Sequence, residues 1–376
     1  MKFMENDRLT AERLMPGLDA ALAEIPLEVL ESRQSPAIGM FRESAGPGLL
    51  VSSEFGGAGA SMLDMVRVQR VIGARSPSLA VATTMHHFSM ASIVALGEKS
   101  TGFEWLMLEA VARDHRLIAS GFAEGNPGKP ILSPTMTTEK VKDGYIVSGS
   151  KKPCSLAQSM DILTASITVE DEEGRPTMAV ALIPAESPGV KIRPFWNSWV
   201  LAGAESEEVL IERVFVHREL IVSTDVGFGK ELDDLTLFSF LWFELLITAG
   251  YVGAVSALAE RVFTGSRGSD AEKARLLVEV EGAAMQLEGL AREYEAGAHD
   301  HDALARCLIG RYAAQDGLSR AASMCVELLG GVAFVKSPEV AYLLAASHAM
   351  LLHPPNRTSM ATALAEYTRG GEVNVA

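Results

Sequence analysis

Between Asp234 and Glu260 the chain carries a single charged side chain, Glu244. It sits in a run reading Leu235-Thr-Leu-Phe-Ser-Phe-Leu-Trp-Phe-Glu244-Leu-Leu-Ile-Thr-Ala-Gly-Tyr-Val-Gly-Ala-Val-Ser-Ala-Leu-Ala259. A helix that is apolar on every side is a buried helix, so this run demands a large body around it. A carboxylate in its middle is costly unless it is paired, solvated by a cavity or kept protonated. Burial also lifts a carboxyl toward the range in which it abstracts protons near neutral pH. Glu244 is therefore either a catalytic base facing a pocket or a structurally paired acid, and the sequence leaves both open. The run is long enough to cross a bilayer. Glu244 and the small residues Ala249, Gly250, Gly253 and Ala254 favour a core helix over a membrane span.

The 376 residues, 48% of them hydrophobic, can supply that body. A formal net charge of -15 argues against nucleic acid or an anionic lipid surface as the main partner. Cys154, Cys307 and Cys325 form neither a disulfide framework nor a zinc motif. Together with the polar N-terminus this predicts a cytoplasmic protein. His86 and His87 have no third ligand at metal spacing, so they read as packing or helix-end residues and no metal site is expected.

Three compositional zones predict three domains. Residues 1–116 read as helical, with apolar periodicity over Leu18–Leu30 and Met62–Ile72. Between these, Gly46–Gly59 reads as an extended apolar piece followed by a glycine turn. Residues 117–222 alternate short β-branched runs with turns: Leu117–Phe122, Lys140–Ser148, Ile162–Val169, Thr177–Ile183, Val190–Pro194 and Glu208–Val216. Lys142-Asp143-Gly144 is a hairpin signal, and a second turn is expected around Glu172. The zone reads as a β-sandwich or barrel. Residues 223–376 return to helix, over 235–259, Ala271–Ala296, Asp302–Leu329 and Pro338–Leu352, which suggests a four-helix bundle. The fold class is α+β, mainly α.

This order, with several landmarks, resembles the acyl-CoA dehydrogenase family of flavoproteins along nearly the whole chain. Leu49-Leu-Val-Ser-Ser-Glu-Phe-Gly-Gly-Ala-Gly59 is similar to an N-terminal family segment. Ser120-Gly-Phe-Ala-Glu-Gly-Asn-Pro-Gly128 stands in the place of the flavin loop. Asp143–Lys151 matches the following hairpin, Ser206–Val222 the close of the β-domain, and Glu327-Leu-Leu-Gly-Gly331 the Gln-x-x-Gly-Gly turn. The resemblance implies FAD between the β-domain and the bundle, with a second subunit of a homodimer or homotetramer completing the site. It places flavin contacts at Phe122, Ala123, Ser155, Glu327, Gly330, Gly331 and Asn356, with the Ser155 hydroxyl at flavin N5. The Trp that shields flavin in the family becomes Pro153. The family's Arg-x-x-Phe-Gly is replaced by Thr264-Gly-Ser-Arg267-Gly-Ser-Asp270. That leaves FMN, or reduced flavin supplied by a reductase, as alternatives to FAD.

The usual catalytic Glu near the C-terminus falls on Pro354 of His353-Pro-Pro-Asn356. Some family members carry the base on the buried helix instead. By the Ala249-Gly250-x-x-Gly253 spacing that position is Phe243, one residue before Glu244, a rotation of about 100°. The leading expectation is dehydrogenation of an acyl thioester, borne by CoA or a carrier protein. Glu244 would take the α-proton, flavin the hydride, and a flavoprotein or oxygen the electrons. The alternative is a two-component flavin monooxygenase of the same fold, in which His353 assists oxygen chemistry. A third reading is a flavin- or partner-binding protein without catalysis.

Overall fold

The computed structural model describes residues 1–99, 104–125, 134–170, 173–227, 234–373 and 375. Residues 126–128 of the expected flavin loop and 172 of the expected second turn lie outside the described residues. The N-terminal helices are α1 (Glu5–Leu14), α2 (Leu18–Ala23), α3 (Leu27–Leu30), α4 (Ala37–Glu43), α5 (Met62–Arg75), α6 (Pro77–Lys99) and α7 (Glu104–Asp114). The helix expected over Leu18–Leu30 is two helices. Pro26 precedes the second, and a proline disfavours the helical conformation of the residue before it. Gly46–Gly59 is not extended. Two 3-10 turns, Gly46–Gly48 and Ser53–Phe55, fold it so that Leu49, Leu50 and Val51 are buried.

The β-unit holds two four-stranded sheets. One has the order β1 (Ile118–Gly121), β4 (Ile162–Glu170), β5 (Pro176–Pro184), β8 (Ile221–Gly227). The other has β2 (Thr137–Val141), β3 (Gly144–Cys154), β7 (Glu207–His217), β6 (Val190–Arg193). The Asp-Gly signal is a tight hairpin: Val141 pairs with Gly144, and Asp143 adopts φ +66. β8 carries the sheet past residue 222.

The remaining helices are α8 (Asp234–Thr264), α9 (Asp270–Glu295), α10 (His301–Leu329), α11 (Gly331–Lys336), α12 (Pro338–His348) and α13 (Ala361–Tyr367). α8 packs on α9, α10 and α12, and equally on α5 and α6 of the N-terminal unit. It is thus the axis of the whole helical body. A stripe of small residues makes the α5 crossing close: a Cβ on Gly253 would stand 2.2 Å from the Arg70 carbonyl oxygen. α6 and α8 are both long and apolar enough to cross a membrane, and most of each is buried inside the protein.

Candidate active site

An apolar cavity of about 180 Å³ opens where α6, the β-unit and α8 meet. α6 supplies Met85, Phe88 and Ser92. β1 and the residues after it supply Ser120, Phe122 and Ala123. α8 supplies Phe240 and Phe243, and His353 and Pro354 close one end. Phe88 bridges Phe122 and Phe243 at centroid distances of 6.1 and 5.8 Å, a tilted and a T-shaped contact. The β-unit adds Pro153, Ser155 and Ser206. The two serine hydroxyls lie 2.9 Å apart. One hydrogen bond between two hydroxyls uses one proton and leaves the other free to donate into the cavity. Among the described residues that line it, no side chain is a carboxylate, an ammonium or a guanidinium.

Phe122, Ala123, Ser155 and His353 of the sequence-derived set therefore come together. Glu244 does not join them. Phe243 faces the cavity, and one residue further the helix has turned by about 100°. Glu244 is buried with its Oε2 accepting Arg311 Nη1 at 2.7 Å, and it does not line the cavity. The expected base is thus a paired acid. Burial pushes its carboxyl up, and Arg311 opposes that push. Arg311, on α10 and equally buried, also donates to the His353 carbonyl at 2.6 Å and at 3.5 Å to that of Pro354. The pair pins the backbone that carries His353 into the cavity wall.

His353 Nε2 lies 2.7 Å from the Tyr251 hydroxyl of α8. Burial, with the Arg311 charge beside it, takes the imidazole down to about 3, so it is neutral across physiological pH. Burial also holds the Tyr251 phenol protonated. Sequence reasoning missed Arg311, Tyr251 and Ser206. Tyr251 carried a signal, as the polar ring two turns beyond Glu244 in the apolar run.

Glu327, Gly330 and Gly331 lie at the α10–α11 junction, outside the cavity. Gly330 has φ +81, and a Cβ there would come within 2.7 Å of the Arg267 guanidinium. Arg267 therefore lies against the glycine turn. Asn356 is exposed and accepts the Ser359 N–H at 3.0 Å. Lys151 is buried. Its Nζ meets Glu124 at 2.8 Å and Ser166 at 2.9 Å. His86 is a packing residue: it bridges the Pro47 carbonyl and the Ile118 N–H.

No family model matches the chain. It is 47% identical over 378 residues to isobutylamine N-hydroxylase of Streptomyces viridifaciens, covering 100% of both proteins. Acyl-CoA dehydrogenase FadE12 of Mycobacterium tuberculosis is 22% identical over 343 residues, 86% of this chain and 85% of its own. Among solved structures, TdsC of Paenibacillus sp. A11-2 with FMN and indole superposes at TM-score 0.82. It is 17% identical and covers 99% of each chain. Glutaryl-coenzyme A dehydrogenase with glutaryl-CoA superposes at 0.79 with 19% identity, covering 100% of this chain and 96% of that one. These likenesses define the fold as acyl-CoA dehydrogenase-like. The chain belongs to the acyl-CoA dehydrogenase-like family, and it shares more of its sequence with the N-hydroxylase than with FadE12.

Proposed function

We propose that this chain is a flavin-dependent monooxygenase that hydroxylates the nitrogen of a small apolar amine. The observation that carries the reading is the end wall of the cavity. His353 and Pro354 stand where the resemblance places a dehydrogenase base, while Glu244 is tied to Arg311. Proton abstraction α to a thioester has no carboxylate to perform it among the described lining residues, so the dehydrogenation expected from the sequence gives way. Full-length similarity to isobutylamine N-hydroxylase supports the same choice.

The residues present fit a flavin. Phe122, Ala123 and Phe243 offer apolar cover, and the Ser155–Ser206 pair offers a donor. Reduced flavin, when bound, would supply the activation of dioxygen. The balance is amine, dioxygen and reduced flavin in; hydroxylamine, water and oxidised flavin out. The apolar walls keep water from the reacting nitrogen. A neutral imidazole beside an uncharged lining favours the free-base amine, whose lone pair takes the oxygen, over its ammonium form. The replaced Arg-x-x-Phe-Gly favours FMN over FAD, delivered reduced by a separate reductase, as does the FMN held by TdsC.

The test is to titrate the protein with photoreduced FMN under nitrogen, then admit oxygen with a panel of short alkylamines and assay hydroxylamine by mass spectrometry. Hydroxylamine formation coupled to flavin oxidation is expected. Bound FAD that bleaches with acyl-CoA and yields an enoyl product would sink the reading.

A further inference from the structure

A chain of hydrogen bonds reaches the cavity wall at Leu201. Glu31 follows α3 and is buried. Its carboxylate accepts the Ser76 hydroxyl, the Ser78 N–H at 3.2 Å to each oxygen, and the Ser78 hydroxyl at 2.5 Å. Tyr342 of α12 donates its hydroxyl to the same carboxylate and accepts the Leu201 N–H at 3.0 Å. Leu201 lines the cavity with φ +60, a left-handed backbone that a leucine keeps only when its surroundings hold it. Two residues on, a Cβ at Gly203 would stand 2.8 Å from the Leu30 carbonyl and 3.1 Å from that of Ser32. The loop is thus pressed onto the turn that presents Glu31.

The start of the loop is fixed separately. Arg33 donates to Glu207 at 2.7 Å and to the Trp196 carbonyl, while Glu207 accepts the Trp196 N–H at 3.0 Å. Trp196, Leu201 and Ser206 all face the cavity. On the other side of the same loop Asn197, Ser198, Trp199 and Ala202 line an outer cleft together with Glu31 and Tyr342. One carboxylate therefore joins the start of α6, α12 and the 196–206 wall.

We infer that Glu31 and Tyr342 act as a positioning relay that holds Leu201, and with it the 196–206 wall, in the shape that decides which ligands the cavity accepts. Neither residue lines the cavity. The inference rests on the proposed function only in taking this cavity as the flavin and amine site.

Tyr342→Phe removes the shared hydroxyl and keeps the ring against Trp199. In the full chain the amine KM is expected to rise at least fivefold, more than kcat changes, with preference moving toward longer alkyl groups. Affinity for a graded series of neutral alkyl alcohols, measured by calorimetry, is expected to shift the same way. Leu201→Ala should reproduce the shift, and the double variant should add little to either single one, because relay and wall act as one unit. Should Tyr342→Phe fail to fold, Glu31→Gln carries the same test with the same expected direction. A lowered melting temperature with KM and the alcohol series both within twofold of wild type would make the relay a stability element and overturn the inference. So would strict additivity with Leu201→Ala. If the wild-type protein hydroxylates no amine, the proposed function fails while the alcohol series still decides the relay.

Discussion

Arg311 holds a carboxylate and the backbone of two cavity residues with one guanidinium, and this decides how Glu244 is understood. A guanidinium this deeply buried is tolerable only while its charge is answered, and Glu244 answers it. Among the described residues Glu244 Oε1 and Arg311 Nε have no partner, so the pair is imperfect and depends on the contacts it does make. Glu244→Gln removes the compensating charge and should cost about 3–5 kcal/mol, the usual penalty for breaking a buried pair from one side. The loss would appear in urea denaturation. It would come with disordered placement of His353 and a fall in kcat/KM. A catalytic base would behave differently: Glu244→Gln would then abolish turnover while leaving the urea midpoint close to that of wild type.

Elements whose signal is local were legible. The turn at Asp143-Gly144, the strands from Ile162 and Thr177, and α8 itself follow from period, β-branching and turn chemistry within each segment. Gly46–Gly59 was misread because an apolar run without period reports burial and not backbone shape. The face of Glu244 turned on one residue of helical phase. Arg311 was invisible because its partner lies in another helix, 67 residues away. Phe122, Ala123, Ser155 and His353 were reached through resemblance, not through any periodicity. The α5–α8 crossing offers a test at this scale. A Cβ at Gly253 would strike the Arg70 carbonyl at 2.2 Å, and one at Gly73 the Gly250 carbonyl at 2.0 Å. Both obstacles are backbone, so neither helix can yield without separating. Gly253→Ala should cost more than about 3 kcal/mol, at the large end for overpacking. Gly282→Ala, on an exposed turn of α9 with nothing within 4 Å, should instead stabilise by about 0.5–1 kcal/mol through helix propensity. Equal melting temperatures for the two variants would refute the tight crossing.

Across the whole molecule, the buried His86 and His87 and the half-buried His353 respond to acid in one direction. Burial takes His353 down to about 3 and His86 to about 4, and holds His87 well below its ordinary value. A base whose folded-state pKa is depressed binds fewer protons in the fold than in the unfolded chain, where it titrates near 6.5. Stability rises with pH wherever the unfolded state holds more protons. The three histidines therefore contribute fully above about pH 7, and their contribution is lost as pH falls through 6.5 toward 4. Asp7, Glu31, Glu205 and Glu244, raised by burial, act with the opposite sign and favour the fold as they take up protons. Their window opens upward from the ordinary carboxyl range, so they oppose the histidines wherever the two windows overlap. Between pH 7 and 5.5 the histidines' share of the slope should rise toward three protons, up to about 4 kcal/mol per pH unit, and proton uptake by the raised carboxyls subtracts from it. His87 isolates one of them, since neither ring nitrogen has a partner among the described residues and the ring is wedged between Phe41 and His86. His87→Leu deletes a buried unsatisfied group and one titrating site together. Urea midpoints taken at half-unit steps from pH 7.5 to 5.5 should fall less steeply for His87→Leu than for the wild-type chain, by up to one proton of slope. A variant slope equal to that of the wild-type chain would show that the fold admits the His87 proton and that burial does not exclude it.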